Sequence, residues 1–407
     1  MSCTIEINNN NKISFSENRS SRGSAVYAQY GTLNIQNNDF VLFEKNIEKG
    51  GNTYRLRSIY TEGSGGSFSL SAAEGNSIVF RDSVYIASGL TVKLNADYKN
   101  DNEYVIKQQG DILFTGKYTV THLNEILASD NVGRVAMESE ILNSRTSELN
   151  SSATLYGGAL RVEAAAVLKL NGGLTVAEGS EASVKIRAAE LNLGSHALNL
   201  VSGSSLALAD GAKVTATEVT ITTGATLAVG GSVSTAPLTE QVAALTLSKE
   251  TVAGFDASRA VNMGSVSVLD GDLTLESGSL LSLDDAYLEL SGNLFFDVAE
   301  GEEKISLDIV PGVITDENNQ EVLFNVDGVV TFGFDCLTAS ADNGMVYCVK
   351  ATDYFTGNRV TESMKLVCDS CTAMVYLENA AGAVPEPTTT TLSLLGLVAF
   401  TLRRRRK

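Results

Sequence analysis

The chain has 407 residues, with 36 Gly, 4 Pro, no Trp and a formal net charge of −18, long enough for two or three domains or one long repetitive unit. The final twenty residues carry +5, so residues 1–387 stand at −23 (25 basic against 48 acidic). A body so acidic repels nucleic acid and anionic lipid and excludes both as its partners. The abundance of Gly, with a steady supply of Val, Leu, Ser and Thr, suits many short strands joined by tight turns. The start, MSCTIEINNNNKISF, has no basic n-region and no apolar h-region, so it does not read as a secretory signal peptide. With the C-terminal tail described below, the expectation is that Met1 is an internal or misassigned start and that a leader lies upstream.

Two copies of Phe-x-x-Asn follow, Phe15-Ser16-Glu17-Asn18 and Phe43-Glu44-Lys45-Asn46, 28 residues apart, with Gly23-Ser24-Ala25-Val26 between them. Gly50-Gly51 and Phe80-Arg81-Asp82-Ser83 are degraded copies, and Tyr156-Gly157-Gly158-Ala159-Leu160 is a cleaner Gly-Gly-Ala element. Alternation of these two elements resembles the repeats of the polymorphic outer-membrane protein class of autotransporter passengers. That resemblance implies a right-handed parallel β-helix. The physical reason is that coils stack: Phe on Phe inside, Asn bonding the neighbouring backbone at a turn, and Gly-Gly-Ala making a corner of little bulk.

Residues 121–150, THLNEILASDNVGRVAMESEILNSRTSELN, carry helical spacing at Leu123, Ile126 and Leu127 and again at Val135, Met137, Ile141 and Leu142. They predict two short helices joined near Asp130-Asn131, an insertion that braces the coils. From 153 to 297, runs of six to nine alternating apolar and polar residues are broken by Gly-Ser, Asp-Gly or Gly-Gly. Gly179, Gly203 and Gly224 recur at 24 and 21 residues, single-coil lengths for a β-helix. A β-sandwich or jelly roll also has short strands at regular intervals; the small-residue turns and the unbroken length favour the solenoid. Residues 301–383 change to longer strands with acidic loops and predict an antiparallel cap, which an open β-helix end needs to cover its unpaired backbone. The expected class is therefore all-β, a right-handed parallel β-helix over 1–120 and 153–300, interrupted by a helical insertion at 121–152 and closed by a β cap at 301–383.

Four of five cysteines, Cys336, Cys348, Cys368 and Cys371, fall within 36 residues of this cap. In an oxidising compartment they read as a local disulfide framework, with Cys336 to Cys348 and Cys368 to Cys371 as the expected pairs among three connectivities. The Cys-x-x-Cys at 368–371 leaves a redox pair or half of a zinc site as alternatives. His122 and His196 are the only histidines and read as solvated. Asn8 to Asn11, Asp284-Asp285 and the acidic run at 316–319 read as solvated turns, since neither an EF-hand loop nor a calcium nonapeptide is present. No catalytic residue, metal or cofactor is assigned. An enzyme acting on polysaccharide is the alternative, because such sites use clustered carboxylates and aromatic platforms, but basic residues are sparse from 188 to 303 and Trp is absent.

The tail, VPEPTTTTLSLLGLVAFTLRRRRK, combines Pro385-Glu386-Pro387, an apolar run through 388–402, and the basic block Arg403, Arg404, Arg405, Arg406 and Lys407. As a helix, fifteen residues rise ~22 Å, short of the ~30 Å hydrocarbon core, so the run spans only if the basic side chains snorkel. Positive charge stays cytoplasmic, placing the body outside the inner membrane. The order of the three parts closely resembles the PEP-CTERM sorting signal of exported bacterial proteins. The resemblance implies an exosortase, a membrane transpeptidase-like enzyme, as partner. It also implies transient inner-membrane anchoring, then release to a cell surface or extracellular matrix rich in exopolysaccharide. The expected role is adhesin or structural surface protein, meeting exopolysaccharide or host surfaces.

Overall fold

The computed structural model describes residues 4–50, 53–100, 103–116, 145–230, 266–284, 286–310, 321–333, 337–339, 346–357, 360–369 and 374–379. Among these the chain is nearly all β, with one helix, the four residues Ala351–Tyr354. Most strands pair in parallel with the strand one coil later. Three such stacks run through the molecule.

The first stack passes from Ile13–Ser16 through the second halves of Thr32–Glu44 and Ser67–Phe80 to Asp111–Thr115 and Ala159–Glu163. It continues through Ser183–Arg187, Ser205–Ala209, Thr226–Gly230, Leu280–Asp284 and Ile305–Val310 to Phe355–Thr356. A second begins with Thr4–Asn8 and the first halves of the same two long strands, then takes Thr91–Leu94, Ala153–Leu155 and Leu174–Val176. Leu198–Leu200 lies against its last strand and leads through 219–221, 273–276 and 294–297 to Val330–Phe332. The third runs from Val26–Gln29 through Thr53–Glu62, Ser83–Ile86, Thr146–Leu149, Val167–Leu170 and Glu190–Asn192. It then takes 213–215, 267–270 and Leu288–Leu290 and ends in Glu321–Val326.

Alternation along each strand explains why the stacks close on one another. In Ser183–Arg187, for example, Val184 and Ile186 point inward and are wholly buried, while Lys185 faces out. A strand of five residues cannot cover its own apolar face, so each coil is stable only against its neighbours. Paired Leu160, Val184, Leu206 and Leu227 advance by 24, 22 and 21 residues per coil. The step widens to 34 and 48 from Ile78 through Ile112 to Leu160, and to 54 from Leu227 to Leu281, yet the register resumes each time. Corner glycines keep the same order. Gly179, Gly203, Gly224 and Gly278 all have positive φ, from 70° to 83°, and Gly203 and Gly224 donate N–H to the carbonyls of Gly224 and Gly278 at 2.9 Å.

The Phe-x-x-Asn element acts as its spacing predicts. Phe15, Phe43, Phe80 and Phe114 stack face to face with centroids 4.7, 4.9 and 5.0 Å apart, the separation of hydrogen-bonded strands. At the following corner Asn18 donates Nδ2–H to Asn46 Oδ1 (2.8 Å). The wholly buried Asn46 in turn donates its backbone N–H (2.9 Å) and Nδ2–H (2.8 Å) to Asp82 Oδ2. Asp82 thus takes the place of Asn in the degraded third copy. A second ladder at the same 28-residue offset joins Asn9 to Asn37 (2.8 Å) and Asn10 to Asn38 (3.0 Å). Asn9 and Asn10, in the run expected to be a solvated turn, are exposed and follow the strand Thr4–Asn8, and their amides also bond the next coil.

Parallel pairing outlasts the expected boundary at 300. Strands Ile305–Val310, Glu321–Val326 and Val330–Phe332 still pair in parallel with the stacks, because each repeats the inward spacing of the coil before it. The antiparallel cover starts later, with Val330–Phe332 against Leu337–Ala339, Val346–Lys350 against Met364–Asp369, and Met374–Asn379 between the latter and Glu321–Val326. Phe332, Tyr354 and Phe355 crowd Phe296 beneath it. At the other end Ile5, Ile7, Ile13 and Phe15 are only partly buried, whereas Leu33, Ile35, Val41 and Phe43 one coil on are at most 1% exposed. The helical reading of 121–152 needs one correction: Thr146–Leu149 is a strand, with Ser147 and Leu149 buried, paired to Val167–Leu170. Burial there has period two, beyond the helical spacing that ends at Leu142. Residues 117–144 and 231–265, which hold the rest of that reading and part of the second coiled stretch, lie outside the described residues.

Replacing Phe43 by Ala opens a hole in a ladder that is packed above and below. Urea denaturation should show a loss of about 3–5 kcal/mol, against little change for an outward substitution such as Lys185→Ala.

Candidate functional site

Pro385, Glu386, Pro387, the 388–402 run and the basic block Arg403 to Lys407 lie outside the described residues. Among the described residues no helix is long and apolar enough to cross a membrane. Cys336, Cys371 and His122 also lie outside them. The structure places the other two cysteines on neighbouring antiparallel strands, where Cys348 pairs with Val367 and Tyr347 with Cys368. Residues paired across a sheet share a face and consecutive residues do not. Cys348 is exposed on one face and Cys368 is 4% exposed on the other. Of the three connectivities, the one that joins Cys348 to Cys368 is thereby excluded. The Cys348 thiol is pushed up from its ordinary pKa by partial burial, with Lys365 opposing the shift and Glu378 adding to it.

His196, expected to be solvated, is half-buried. Its Nε2 lies 3.0 Å from the Asn171 carbonyl, and its ring covers Gly173, where a Cβ would sit 3.1 Å from His196 Cγ. It fastens one corner to the next. Asp285 and the 316–319 run lie outside the described residues. Among the described residues no three His, Cys, Asp or Glu side chains are grouped to hold a metal.

Two features were not found by sequence reading. One is a buried charge cluster. The outward residues Phe40, Leu42, Val79 and Leu113 of the first stack form a small cluster of their own, and Arg161 follows in register with Leu113. Arg161 is 1% exposed and donates to Asp111 Oδ2 at 2.6 Å and, through Nε, to Glu163 Oε1 at 2.8 Å. Burial alone would lower its pKa; Glu163 and Asp111 outweigh it and hold the guanidinium above its ordinary value.

The other is a cleft of about 510 Å³ across three consecutive corners. Its floor is the tight corner Tyr156-Gly157-Gly158, joining Leu155 to Ala159. Gly158 has φ +58°, and a Cβ on Gly157 or Gly158 would meet Gln109 Nε2 at 2.5 Å or the Gly110 carbonyl at 2.3 Å. Only a glycine pair lets this corner sink between its neighbours. One wall is the long excursion between Leu94 and Asp111, which carries the hairpin Tyr98–Lys99 against Val105–Ile106 and presents Asp97 and Lys107, with Lys93 beside it at the end of the strand Thr91–Leu94. The opposite wall, the 177–181 corner, presents Glu178 and Glu181. Buried Asn95 ties wall to floor by donating to the Gly157 carbonyl (2.9 Å) and braces the wall itself by donating to the Gly110 carbonyl (2.8 Å), while Gln109 Oε1 accepts the Gly158 N–H at 2.7 Å. Tyr156 is 39% exposed above this floor.

Comparison with known families matches residues 383–407 to the PEP-CTERM protein-sorting motif. That motif indicates an exported protein processed at the membrane and implies an exosortase as partner. No family match covers the body, and neither curated proteins nor solved structures gave a match.

A raised pKa leaves less thiolate at a given pH. In protein prepared under reducing conditions, Cys348 should therefore alkylate more slowly at pH 8 than an unstructured cysteine peptide, whose pKa is about 8.5. Its rate should still be rising above pH 9. Peptide mapping after iodoacetamide pulses measures both.

Proposed function

We propose that this chain is an exported surface protein, built as a right-handed parallel β-helix of the autotransporter-passenger kind and processed by an exosortase-type enzyme at its C-terminal tail. It acts as an adhesin or structural surface protein and not as an enzyme. The observation that carries this reading is the sorting motif at 383–407. Pro fixes φ and biases the preceding residue away from helix, so Pro385-Glu386-Pro387 holds an extended peptide clear of the bilayer for the processing enzyme. The apolar run 388–402 parks the chain in the inner membrane, and Arg403 to Lys407 stop translocation. The expected product is surface-bound or extracellular, its four C-terminal cysteines oxidised.

The body supports a presenting role by its construction. Three parallel stacks with one inward face each leave the exposed outward positions, such as Lys185 and Arg187, free to vary without loss of core. Shape alone does not specify chemistry, so the sorting tail and not the coil carries the conclusion.

Intact-mass measurement of surface and membrane fractions tests the tail. Wild-type surface protein should lack the basic block, and a variant with Pro385, Glu386 and Pro387 all replaced by Ala should stay in the membrane at full mass. Surface material that still ends at Lys407 would overturn the processing reading. For the body, the eleven layers of the first stack, Ile13–Ser16 to Phe355–Thr356, at about 4.8 Å each give a rod of ~50 Å. Solution scattering should show an elongated particle, and circular dichroism mainly β structure.

A further inference from the structure

We propose that the cleft floored by Tyr156 is a binding site for a short stretch of neutral polysaccharide. This deepens the surface-protein reading and rests on it only for the place where the ligand is met.

The cleft's charged groups are Lys93 and Lys107 against Asp97, Glu178 and Glu181, a small acidic excess inside a body of −23 (25 basic against 48 acidic over residues 1–387). A polyanion is repelled by both. Apart from Tyr156, the apolar side chains on its lining are Ala96 and Ala177, too little to hold a hydrophobic ligand, which needs mainly apolar walls. A neutral polyhydroxyl chain meets neither objection. Each hydroxyl both donates and accepts, so ammonium groups on one wall and carboxylates on both give it charge-assisted partners of either kind. Tyr156 offers an aromatic surface for the C–H face of a sugar ring and a hydroxyl beside it.

Preorganisation supports the same assignment. The floor and the long wall are tied through Asn95 and Gln109 by two hydrogen bonds of 2.9 and 2.7 Å, so a ligand need not order them on arrival. The cleft crosses corners and is open to solvent, and its volume of about 510 Å³ is within the range of ~300–1,000 Å³ usual for ligand sites. Such a groove admits an internal segment of a long chain as readily as an end.

The test uses the full-length chain and a panel of neutral probes, cellohexaose, laminarihexaose and maltohexaose, with trigalacturonate as the anionic comparator, titrated by calorimetry or by protein-observed NMR. At least one neutral hexasaccharide should bind saturably, with little loss on raising salt. Tyr156→Ala should weaken it about five-fold or more, and Glu178→Gln should weaken it less. Circular dichroism of each variant should match wild type; Glu178, at an exposed corner, provides the second variant if Tyr156→Ala fails to fold. No saturable binding to any neutral probe, equal binding by both variants, or preference for trigalacturonate would overturn the proposal. Failure of the surface-protein reading is separable: Tyr156→Ala leaves the processed mass and the surface fraction unchanged, whereas the Pro385, Glu386 and Pro387 replacements change those and leave hexasaccharide binding intact.

Discussion

Everything in this molecule depends on coil-on-coil register at the spacing of a hydrogen-bonded strand. Because each parallel strand bonds the one above it, an inward side chain must sit directly over its counterpart, and like packs on like: Phe15 on Phe43 on Phe80 on Phe114. The same rule applied to polar groups produces the Asn18, Asn46 and Asp82 ladder, where buried amides would otherwise go unsatisfied. Beyond the last parallel strands the stacks are covered by antiparallel strands and an aromatic plug around Phe296.

Register constrains the strands and frees the corners. Gly203 to Gly224 to Gly278 is a corner kept minimal through three coils, whereas the corner between Leu94 and Asp111 carries a hairpin. Where a long corner borders a short one the surface acquires relief, and that is the origin of the cleft above Tyr156. The flanking coils need no change in the core to make it. Surface relief on such a scaffold is set by corner length and corner glycines, and the walls stand directly on the stacks beneath them.

Legibility from the sequence follows the range of the forces involved. Period-two alternation, Gly-bounded corners and the 28-residue Phe-x-x-Asn repeat are set by contacts between successive coils and were readable, as was the sorting tail, which is a linear signal. Strand Thr146–Leu149 was misread because four residues alone do not distinguish a buried strand from a helix turn; its partners Ser83–Ile86 and Val167–Leu170 decide it. Arg161 was missed because it sits at an outward position of an ordinary alternating strand, and nothing local says that Asp111, fifty residues earlier, arrives beside it. The cleft was missed for the same reason: Lys107, Tyr156 and Glu178 meet only once the coil steps are known.

Arg161 also marks the limit of describing the parallel stacks by their inward repeats alone. An outward side chain on a free face would be solvated, and isolated burial of a guanidinium is costly enough that it needs paired carboxylates. Here Asp111 and Glu163 flank it within the same stack, and the apolar outward residues Phe40, Leu42, Val79 and Leu113 precede it. The outward face of the first stack is thus two surfaces in series. From Leu42 through Val79 to Leu113 it is apolar and buried down to the charged cluster at Arg161; its later coils carry half-exposed Lys185 and, at their edge, the exposed Arg187 to Asp210 pair. The inward face is therefore uniform and the outward face changes character along the axis: repetition sets stability inside, and the departures from it stand outside, where they cost the core nothing.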